Sequence, residues 1–329
     1  MKSLLSILLT SACLALGMAP ADAQDKYPSR PIKILVPYAP GGATDIVARV
    51  LGDRLRESIG ASIVVENKPG AYGILCLEAM ARATPDGYTL MIGNVSTNAI
   101  TPVLFTKKFS IDYEKEVVPV ARLADLPSFF VVTTVDFPPK SLAEFVAYVK
   151  ARPGKIRYAH PGNGSFPHLD MEVFAKRNGL DMVNIPVKAG PPGYINDLVK
   201  GDVHAATINV ATVGPMVRSG QMRALAVNSP ARLPDYPDVP TTAELGFPDI
   251  MTLLWAALYA PAATPKDVLA TLQKAIVQGL DTDLVRTAYG KQMIRPNPTK
   301  SLEEAQRWNA EEIARWKKIT SDIKIDLTE

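Results

Sequence analysis

The sequence predicts an α/β protein of two domains, and three observations lead to that prediction. Apolar runs typical of buried strands alternate with segments of helical periodicity along most of the chain. The first three strands are separated by helices, and such crossovers require parallel neighbours in one sheet. About 300 residues remain after an N-terminal leader, which is enough for two ordinary domains.

The first strand is predicted at Ile32–Val36, which is a continuous apolar run apart from one lysine. A helix follows, with apolar residues at helical spacing from Val47 to Ile59, and Gly60 ends it. Strands over 62–66 and 89–92 then enclose a helix over 74–83. This βαβαβ unit predicts a mixed, mostly parallel sheet that is covered on both faces.

The middle of the chain repeats this alternation. Strands are predicted at 129–133, 156–159, 183–187, 205–210 and 224–227, with helices at 142–150, 165–177 and 195–200. One more strand, at 254–259, precedes two or three closing helices, the last over 302–323. We therefore expect two Rossmann-like lobes rather than a single sheet.

The N-terminus has the pattern of a secretory signal peptide. Lys2 precedes an apolar run over 4–16, and Ala21-Asp22-Ala23 supplies the small residues that a signal peptidase recognises. The prediction is a signal peptide over 1–23, cleavage before Gln24 and a periplasmic protein. A lipidated Cys13 is the less favoured alternative, because residues 9–12 fit a lipobox poorly.

Composition and charge exclude several classes of function. The chain has 36 basic and 33 acidic residues, interspersed, so no basic stripe predicts a nucleic-acid partner. Cys76 is the single cysteine of the mature chain and is expected in the core, which excludes an internal disulfide. The three histidines accompany no cysteine cluster and no HExxH motif, so neither a metal site nor a cofactor is expected.

Two glycine-bearing turns each follow a strand and open a helix. The first runs from Tyr38 through Gly41 and Gly42 to Asp45, and the second contains Asn163, Gly164 and Ser165. A helix N-terminus leaves N–H groups unpaired and attracts anions, and glycine lets a ligand approach the backbone. An ordinary tight turn is the alternative at both places. Asp45 is expected to order its turn rather than to contact an anion, which it would repel.

Ser165 and His168 lie three residues apart on one predicted helix, which raises a catalytic alternative. The nucleophile elbow GxSxG is absent, because Phe166 and Pro167 follow Ser165. A serine that opens a helix is more often a cap or a ligand contact. The protein is therefore predicted not to be an enzyme.

Several segments, taken in order, resemble the Bug family, the substrate-binding proteins of tripartite tricarboxylate transporters. The resemblance lies in Tyr27–Ile32, Val36–Asp45, Val65–Gly70, Pro85–Leu90, Gly162–Ser165 with His168, Arg223–Val227, Leu233–Glu244 and Ala260–Pro265. It implies a type II periplasmic-binding-protein fold, with a hinge and a ligand cleft between the lobes. Lobe 1 would comprise 24–124 and 229–329, and lobe 2 would comprise 125–228.

The resemblance also implies which residues bind the ligand, largely through backbone amides of the two turns. The implied set is Tyr38, Gly41, Gly42, Asp45, Ser96, Thr97 and Asn98 in lobe 1, with Asn163, Gly164, Ser165, His168, Ala189 and Asn209 in lobe 2. The chain departs from the family at Val187–Gly190 and at Thr207-Ile208-Asn209, where it lacks the usual Tyr and Asp. These losses indicate a larger or more apolar distal pocket.

The function implied is that of a receptor for a small carboxylate, a di- or tricarboxylate or an aromatic acid. The receptor would be a monomer that delivers this ligand to the membrane permease subunits of a tripartite transporter. One alternative on the same fold is a sensor that signals to a membrane receptor kinase. A hydrolase using Ser165 and His168 is the less favoured alternative.

Overall fold

The computed structural model describes residues 27–187, 191–247 and 252–322. The predicted signal peptide over 1–23 and the predicted ligand residue Ala189 lie outside these ranges. Within them the strands form two sheets, sheet 1 with six strands and sheet 2 with five.

Sheet 1 has the strand order β11-β4-β10-β3-β1-β2. The parallel pairs are β1 with β2 and β1 with β3, as the crossover argument requires. In contrast, β10 lies antiparallel between β3 and β4, and β11 pairs antiparallel with β4. The bounds are β1 Ile32–Val36, β2 Ile63–Asn67, β3 Thr89–Asn94, β4 Val117–Leu126, β10 Leu254–Pro261 and β11 Arg295–Pro296.

Sheet 2 has the order β7-β6-β8-β5-β9. Its parallel pairs are β6 with β7 and β6 with β8, while β5 is antiparallel to both β8 and β9. The bounds are β5 Ser128–Thr133, β6 Ile156–His160, β7 Met182–Pro186, β8 Ala205–Asn209 and β9 Met222–Asn228. Both sheets are therefore mixed, as predicted, but parallel pairing is limited to three neighbouring strands in each.

Nine helices of eight or more residues are numbered here in chain order for the described ranges. They are α1 Ala43–Ile59, α2 Ile74–Ala81, α3 Leu142–Lys150, α4 Phe166–Asn178, α5 Pro191–Lys200, α6 Val210–Arg218, α7 Lys266–Leu280, α8 Asp283–Gly290 and α9 Leu302–Asp322. Shorter helical segments are Ala71–Gly73, Ser96–Ile100, Thr101–Leu104, Thr106–Lys108 and Tyr113–Glu116. None of the described helices is long and apolar enough to cross a membrane.

Strand β4 is the main element that the sequence pattern did not predict. Pro119 lies inside it and cannot donate to a ladder, which argues against a strand when only the sequence is read. The structure accommodates this proline in a strand whose pairing with β10 contains two register shifts. Strand β4 then continues through Pro127 into β5, so it is one of the passages of the chain from sheet 1 to sheet 2.

The described strands divide cleanly between the sheets, because every strand from Ser128 to Asn228 belongs to sheet 2. The boundaries of the two lobes remain a prediction. Helix α4 contacts both sides, since Leu169 packs in the apolar core of sheet 1 and Phe174 in that of sheet 2. The buried Asp170 also accepts hydrogen bonds from the backbone N–H and the hydroxyl of Thr252, which precedes β10. Helix α4 is therefore tied to both halves of the molecule.

Candidate functional site

One cavity of about 960 Å³ lies where the loops of the two sheets meet. Six of the sequence-predicted ligand residues line it: Tyr38 and Ser96 after strands of sheet 1, and Asn163, Gly164, Ser165 and Asn209 after strands of sheet 2. Distant parts of the chain therefore converge on one space, which has the size of an ordinary small-molecule site.

The first glycine turn connects β1 to α1. Gly41 has a φ of 87°, in the left-handed region that glycine adopts without strain. Gly42 is the N-cap of α1 and has an extended backbone, with φ −75° and ψ 163°. No described side chain caps α1, so the first N–H groups of this helix, at the cavity wall formed by Ala43 and Thr44, keep their partial positive charge.

Asp45 stabilises this turn from behind the cavity wall. Its carboxylate accepts hydrogen bonds from Gly41 N (2.9 Å), Arg49 Nε (2.9 Å) and Asn67 Nδ2 (2.9 Å). Burial opposes the ionisation of Asp45, but these three hydrogen-bond donors together lower the pKa of its carboxyl below the usual value. The geometry matches the ordering role predicted for Asp45. Gly41 and Gly42 form part of the same turn, but they are not among the described residues that line the cavity.

Asn94, the last residue of β3, organises the sheet 1 side of the cavity. Its Oδ1 accepts from the Tyr38 hydroxyl (2.8 Å) and from Ser96 N (3.0 Å), and its Nδ2 donates to Thr44 Oγ1 (3.2 Å). Asn94 was not among the ligand residues predicted from the sequence. The signal that could have found it is its position at the carboxyl end of a strand directly before a helical turn, where α/β proteins place ligand contacts.

Thr97 and Asn98, predicted as ligand residues, are buried behind the cavity wall. Thr97 Oγ1 donates to Asn98 Oδ1 (2.6 Å), and the Asn98 carbonyl accepts from the Tyr113 hydroxyl (2.8 Å). Successive residues of a helical turn point in different directions, so Ser96 can line the cavity while its two neighbours enter the core. The side chains of Thr97 and Asn98 therefore support the cavity wall rather than form it.

The second glycine turn connects β6 to α4, which begins after Ser165, close to the predicted start. Gly164 has a φ of 77°, and the hydroxyl of Ser165 donates back to the Gly162 carbonyl (2.7 Å) instead of capping α4. Phe166 N donates to Ser96 Oγ (3.3 Å), which is a direct contact between the two sides of the cavity. This turn is thus held by hydrogen bonds within itself and across the cleft.

Two buried histidines lie behind the second turn with their rings 4.5 Å apart, a proximity that the sequence analysis did not expect. His160 Nδ1 accepts from Gly162 N (3.1 Å), and His168 Nδ1 accepts from Gly164 N (3.1 Å). The Asn184 amide contacts Nε2 of both rings. Burial and the neighbouring His160 lower the pKa of His168 to about 3, so His168 is neutral at neutral pH. His168 positions the turn and does not line the cavity.

The arrangement of Ser165 and His168 does not support the hydrolase alternative. The Ser165 hydroxyl and the His168 ring nitrogens are each hydrogen-bonded to other groups of the turn and of Asn184, and no bond joins the two side chains in the described ranges. Nucleophilic catalysis needs a base within hydrogen-bond reach of the nucleophile. The described part of the chain also holds no cluster of three or more His, Cys, Asp or Glu that could bind a metal.

Asn209, at the end of β8, has its side chain committed to structure. Its Oδ1 caps α6 by accepting from Ala211 N (3.0 Å), and its Nδ2 donates to the Pro127 carbonyl (3.0 Å). Several cavity residues were not predicted, and most are apolar or aromatic. They include Pro37, Tyr72, Phe166, Pro192, Tyr194, Thr207 and Leu254.

Comparisons with known proteins agree with this architecture. The sequence model described as "Tripartite tricarboxylate transporter family receptor" matches residues 47–325. Protein BugT of Bordetella pertussis is 37% identical over 302 residues, which cover 91% of each chain. Among solved structures, the periplasmic binding protein BugD superposes with a TM-score of 0.80 at 30% identity, covering 91% of this chain and 99% of BugD.

Two further solved structures contain a bound acid. The R. palustris protein Rpa4515 with adipate has a TM-score of 0.82 at 30% identity and covers 91% of this chain and 99% of its own. MatC from Rhodopseudomonas palustris with bound malate has a TM-score of 0.78 at 32% identity and covers 89% of this chain and 99% of its own. The predicted fold is confirmed by these similarities.

Proposed function

This chain belongs to the family of tripartite tricarboxylate transporter receptors, a family of binding proteins rather than enzymes, and on that premise we propose which ligand site it uses and which partner it serves. The receptor binds a small carboxylate in the cleft between the two sheets and delivers it to the membrane permease subunits of a tripartite transporter. The adipate and malate bound by its structural relatives support the ligand class.

The observation that carries this proposal is the uncapped N-terminus of α1 at the cavity. The wall there is formed by Ala43 and Thr44, and no described residue accepts a hydrogen bond from the backbone N–H of either. Oriented N–H groups at a helix N-terminus bind carboxylates without a charged side chain. In this proposal the ligand carboxylate occupies that position, with Tyr38 and Ser96 on one side and Asn163, Gly164 and Ser165 on the other.

The test is to remove one of these N–H groups without disturbing the helix. Proline is tolerated at the first helical position, and Gly42 already has the extended ψ of 163° that a residue before proline requires. The Ala43→Pro variant should keep its melting temperature within a few degrees. It should lose at least tenfold in carboxylate affinity, since one charge-assisted hydrogen bond is worth roughly 1.5–3 kcal/mol. Calorimetric titration with malate, adipate and a wider acid panel measures this.

The Asp283→Pro variant is the matched control. Asp283 is the first residue of α8, and its N-cap Thr282 is extended, with φ −125° and ψ 150°. Asp283 does not line the cavity. This variant should bind as the wild type does. Unchanged affinity in a folded Ala43→Pro protein would reject the site at α1, and failure of every acid in the panel to bind the wild type would reject the proposed function.

The proposed location is the periplasm, where the solved relative BugD is described as a binding protein. The pattern around Ala21-Asp22-Ala23 supports export through a cleaved signal peptide. N-terminal sequencing of the exported protein should begin at Gln24. A chain that retains Met1 or begins at a lipidated Cys13 would contradict this expectation.

A further inference from the structure

None of the described residues on the cavity wall has a formally charged side chain. Its described lining contains tyrosine, serine, threonine and asparagine but no lysine, arginine, histidine, aspartate or glutamate. Within this described lining, the groups that can satisfy a bound carboxylate are backbone N–H groups, hydroxyl groups and side-chain amides. The number of anions that the cleft can hold then depends on how many N–H groups each side leaves unpaired.

The sheet 1 side leaves such groups at α1, as described above, whereas most N–H groups of the second turn, on the sheet 2 side, already have an acceptor. In the second turn, the N–H groups of Gly162 and Gly164 are bound by the two histidines. Ser165 N donates to the Gly162 carbonyl (3.2 Å), and Phe166 N donates to Ser96 Oγ. Pro167 has no N–H. Of the N–H groups from Gly162 to Phe166, only that of Asn163 has no acceptor in the described part of the chain, so the second turn offers fewer donors than the start of α1.

Two unpaired polar side-chain groups among the described residues on the sheet 2 side are neutral. Thr207, on β8, lines the cavity and is fully buried, and its hydroxyl has no hydrogen-bond partner in the described part of the chain. Asn163 lines the cavity too, and its amide oxygen is buried and also unpartnered there. A buried hydroxyl or amide without a partner costs free energy until a ligand satisfies it. An amide oxygen accepts hydrogen bonds, so it favours a donor rather than a second carboxylate.

From these two unpartnered neutral groups, and from the difference between the two turns, we infer that the cleft takes a monocarboxylate whose far end carries a neutral hydrogen-bonding group such as a hydroxyl. The carboxylate lies at the N-terminus of α1, and the far end meets Thr207 and Asn163. Between them the acid contacts an apolar wall that includes Pro37, Tyr72 and Leu254. This inference rests on the proposed function and names the chemical class of its ligand.

Two series of acids of matched length test the inference by calorimetry at pH 7.5. One is hexanoate, 6-hydroxyhexanoate and adipate, and the other is benzoate, 4-hydroxybenzoate and terephthalate. We expect the hydroxy acid of at least one series to bind at least tenfold more tightly than the dicarboxylate of that series. A dicarboxylate that binds most tightly in both series would overturn the inference.

Thr207→Val removes the hydroxyl while keeping the shape of the side chain. It should weaken the hydroxy acid at least fivefold and leave the unsubstituted acid within twofold. Thr264→Val is the control and should leave both affinities unchanged, because Thr264 is also buried with a hydroxyl unpartnered in the described part of the chain but does not line the cavity. If Thr207→Val weakened the affinity for all acids equally, Thr207 would not be hydrogen-bonded to the far end of the ligand. That result would also overturn the inference.

Lys188 lies outside the described residues, and its substitution tests for a second anion site. Lys188→Met should leave the ratio of hydroxy acid to dicarboxylate affinity unchanged. A dicarboxylate that binds tightly to the wild type and is lost in Lys188→Met would show a second anion site and contradict the inference. If none of the six acids binds, the inference fails, whereas the proposed function fails only if the wider carboxylate panel fails as well.

Discussion

Replacing Gly164 by alanine should reduce the affinity for the carboxylate ligand by more than tenfold, while the protein still folds. Gly164 has a φ of 77°, and a Cβ atom at this position would lie 2.9 Å from Phe105 Cζ and 3.0 Å from Phe105 Cε2. Such distances are too short for carbon atoms, so either the turn or the phenyl ring must move.

Either movement alters the cavity. The Phe105 ring is buried and stacks on Tyr72, with ring centroids 4.5 Å apart, and Tyr72 lines the cavity. Moving the turn instead would displace Asn163 and Ser165 and would break the contact between Phe166 N and Ser96 Oγ. Because Phe105 follows a strand of sheet 1 and Gly164 a strand of sheet 2, the added methyl group also pushes the two sides of the cleft apart.

Gly179→Ala is the matched control for this prediction. Gly179 ends the same helix with a φ of 62°, and a Cβ atom there would meet nothing within 4 Å. Both variants should therefore lose about 1 kcal/mol of stability from the left-handed backbone. Only Gly164→Ala should lose affinity. Urea unfolding and calorimetric titration measure the two quantities, and equal affinities in the two variants would refute the role given to the Gly164 turn.

The second large effect expected is on the pH dependence of stability, and it comes from His168. The folded pKa of this side chain is about 3, while the unfolded value is about 6.5. Between these values the unfolded chain binds a proton that the folded chain does not. The contribution of the neutral His168 side chain to the free energy of unfolding is therefore fully present above pH 6.5 and is lost as the pH falls. At pH 5.0 the expected loss is about 2 kcal/mol from this residue alone.

Asp170 changes the free energy of unfolding in the opposite direction over part of the same pH range. Burial raises its pKa to about 7, so the folded state takes up a proton from pH 7 downwards, before the unfolded state does. The pH profile of the wild type thus combines two opposing contributions. The contribution of His168 is obtained by comparing the wild type with His168→Asn, whose amide oxygen can still accept from Gly164 N but cannot titrate.

Between pH 7.5 and 5.0, we expect the free energy of unfolding to fall by about 2 kcal/mol more in the wild type than in His168→Asn. Urea unfolding at both pH values measures this difference. The corresponding variant His204→Asn should show a smaller difference, because His204 is only half-buried. Parallel pH profiles of the wild type and His168→Asn would show that His168 is not held neutral in the folded protein.

The sequence alone was sufficient for most of the regular elements and for the two glycine turns. Strand β1 over Ile32–Val36 and helix α3 over Leu142–Lys150 have the predicted bounds, and Gly60 ends α1 in the left-handed conformation. These features depend on hydrophobic periodicity and on glycine, which act locally. The resemblance between short segments in the same order was also enough to identify the family. By contrast, β4 was not predicted, because a proline at position 119 argues against a strand. The strand is stabilised by its neighbours β10 and β11.

The tertiary structure alone decided which residues of each turn reach the cavity. Tyr38, Ser96 and Ser165 line it, whereas Asp45, Asn98 and His168 lie behind its wall, although all six belong to the segments that were predicted to bind. A short sequence motif fixes the path of the backbone, but the direction of each side chain depends on what packs against it. The roles of Asn94 and Thr207 were not predicted, for the same reason. Their importance comes from hydrogen bonds made, or left unmade, with parts of the chain that are distant in sequence.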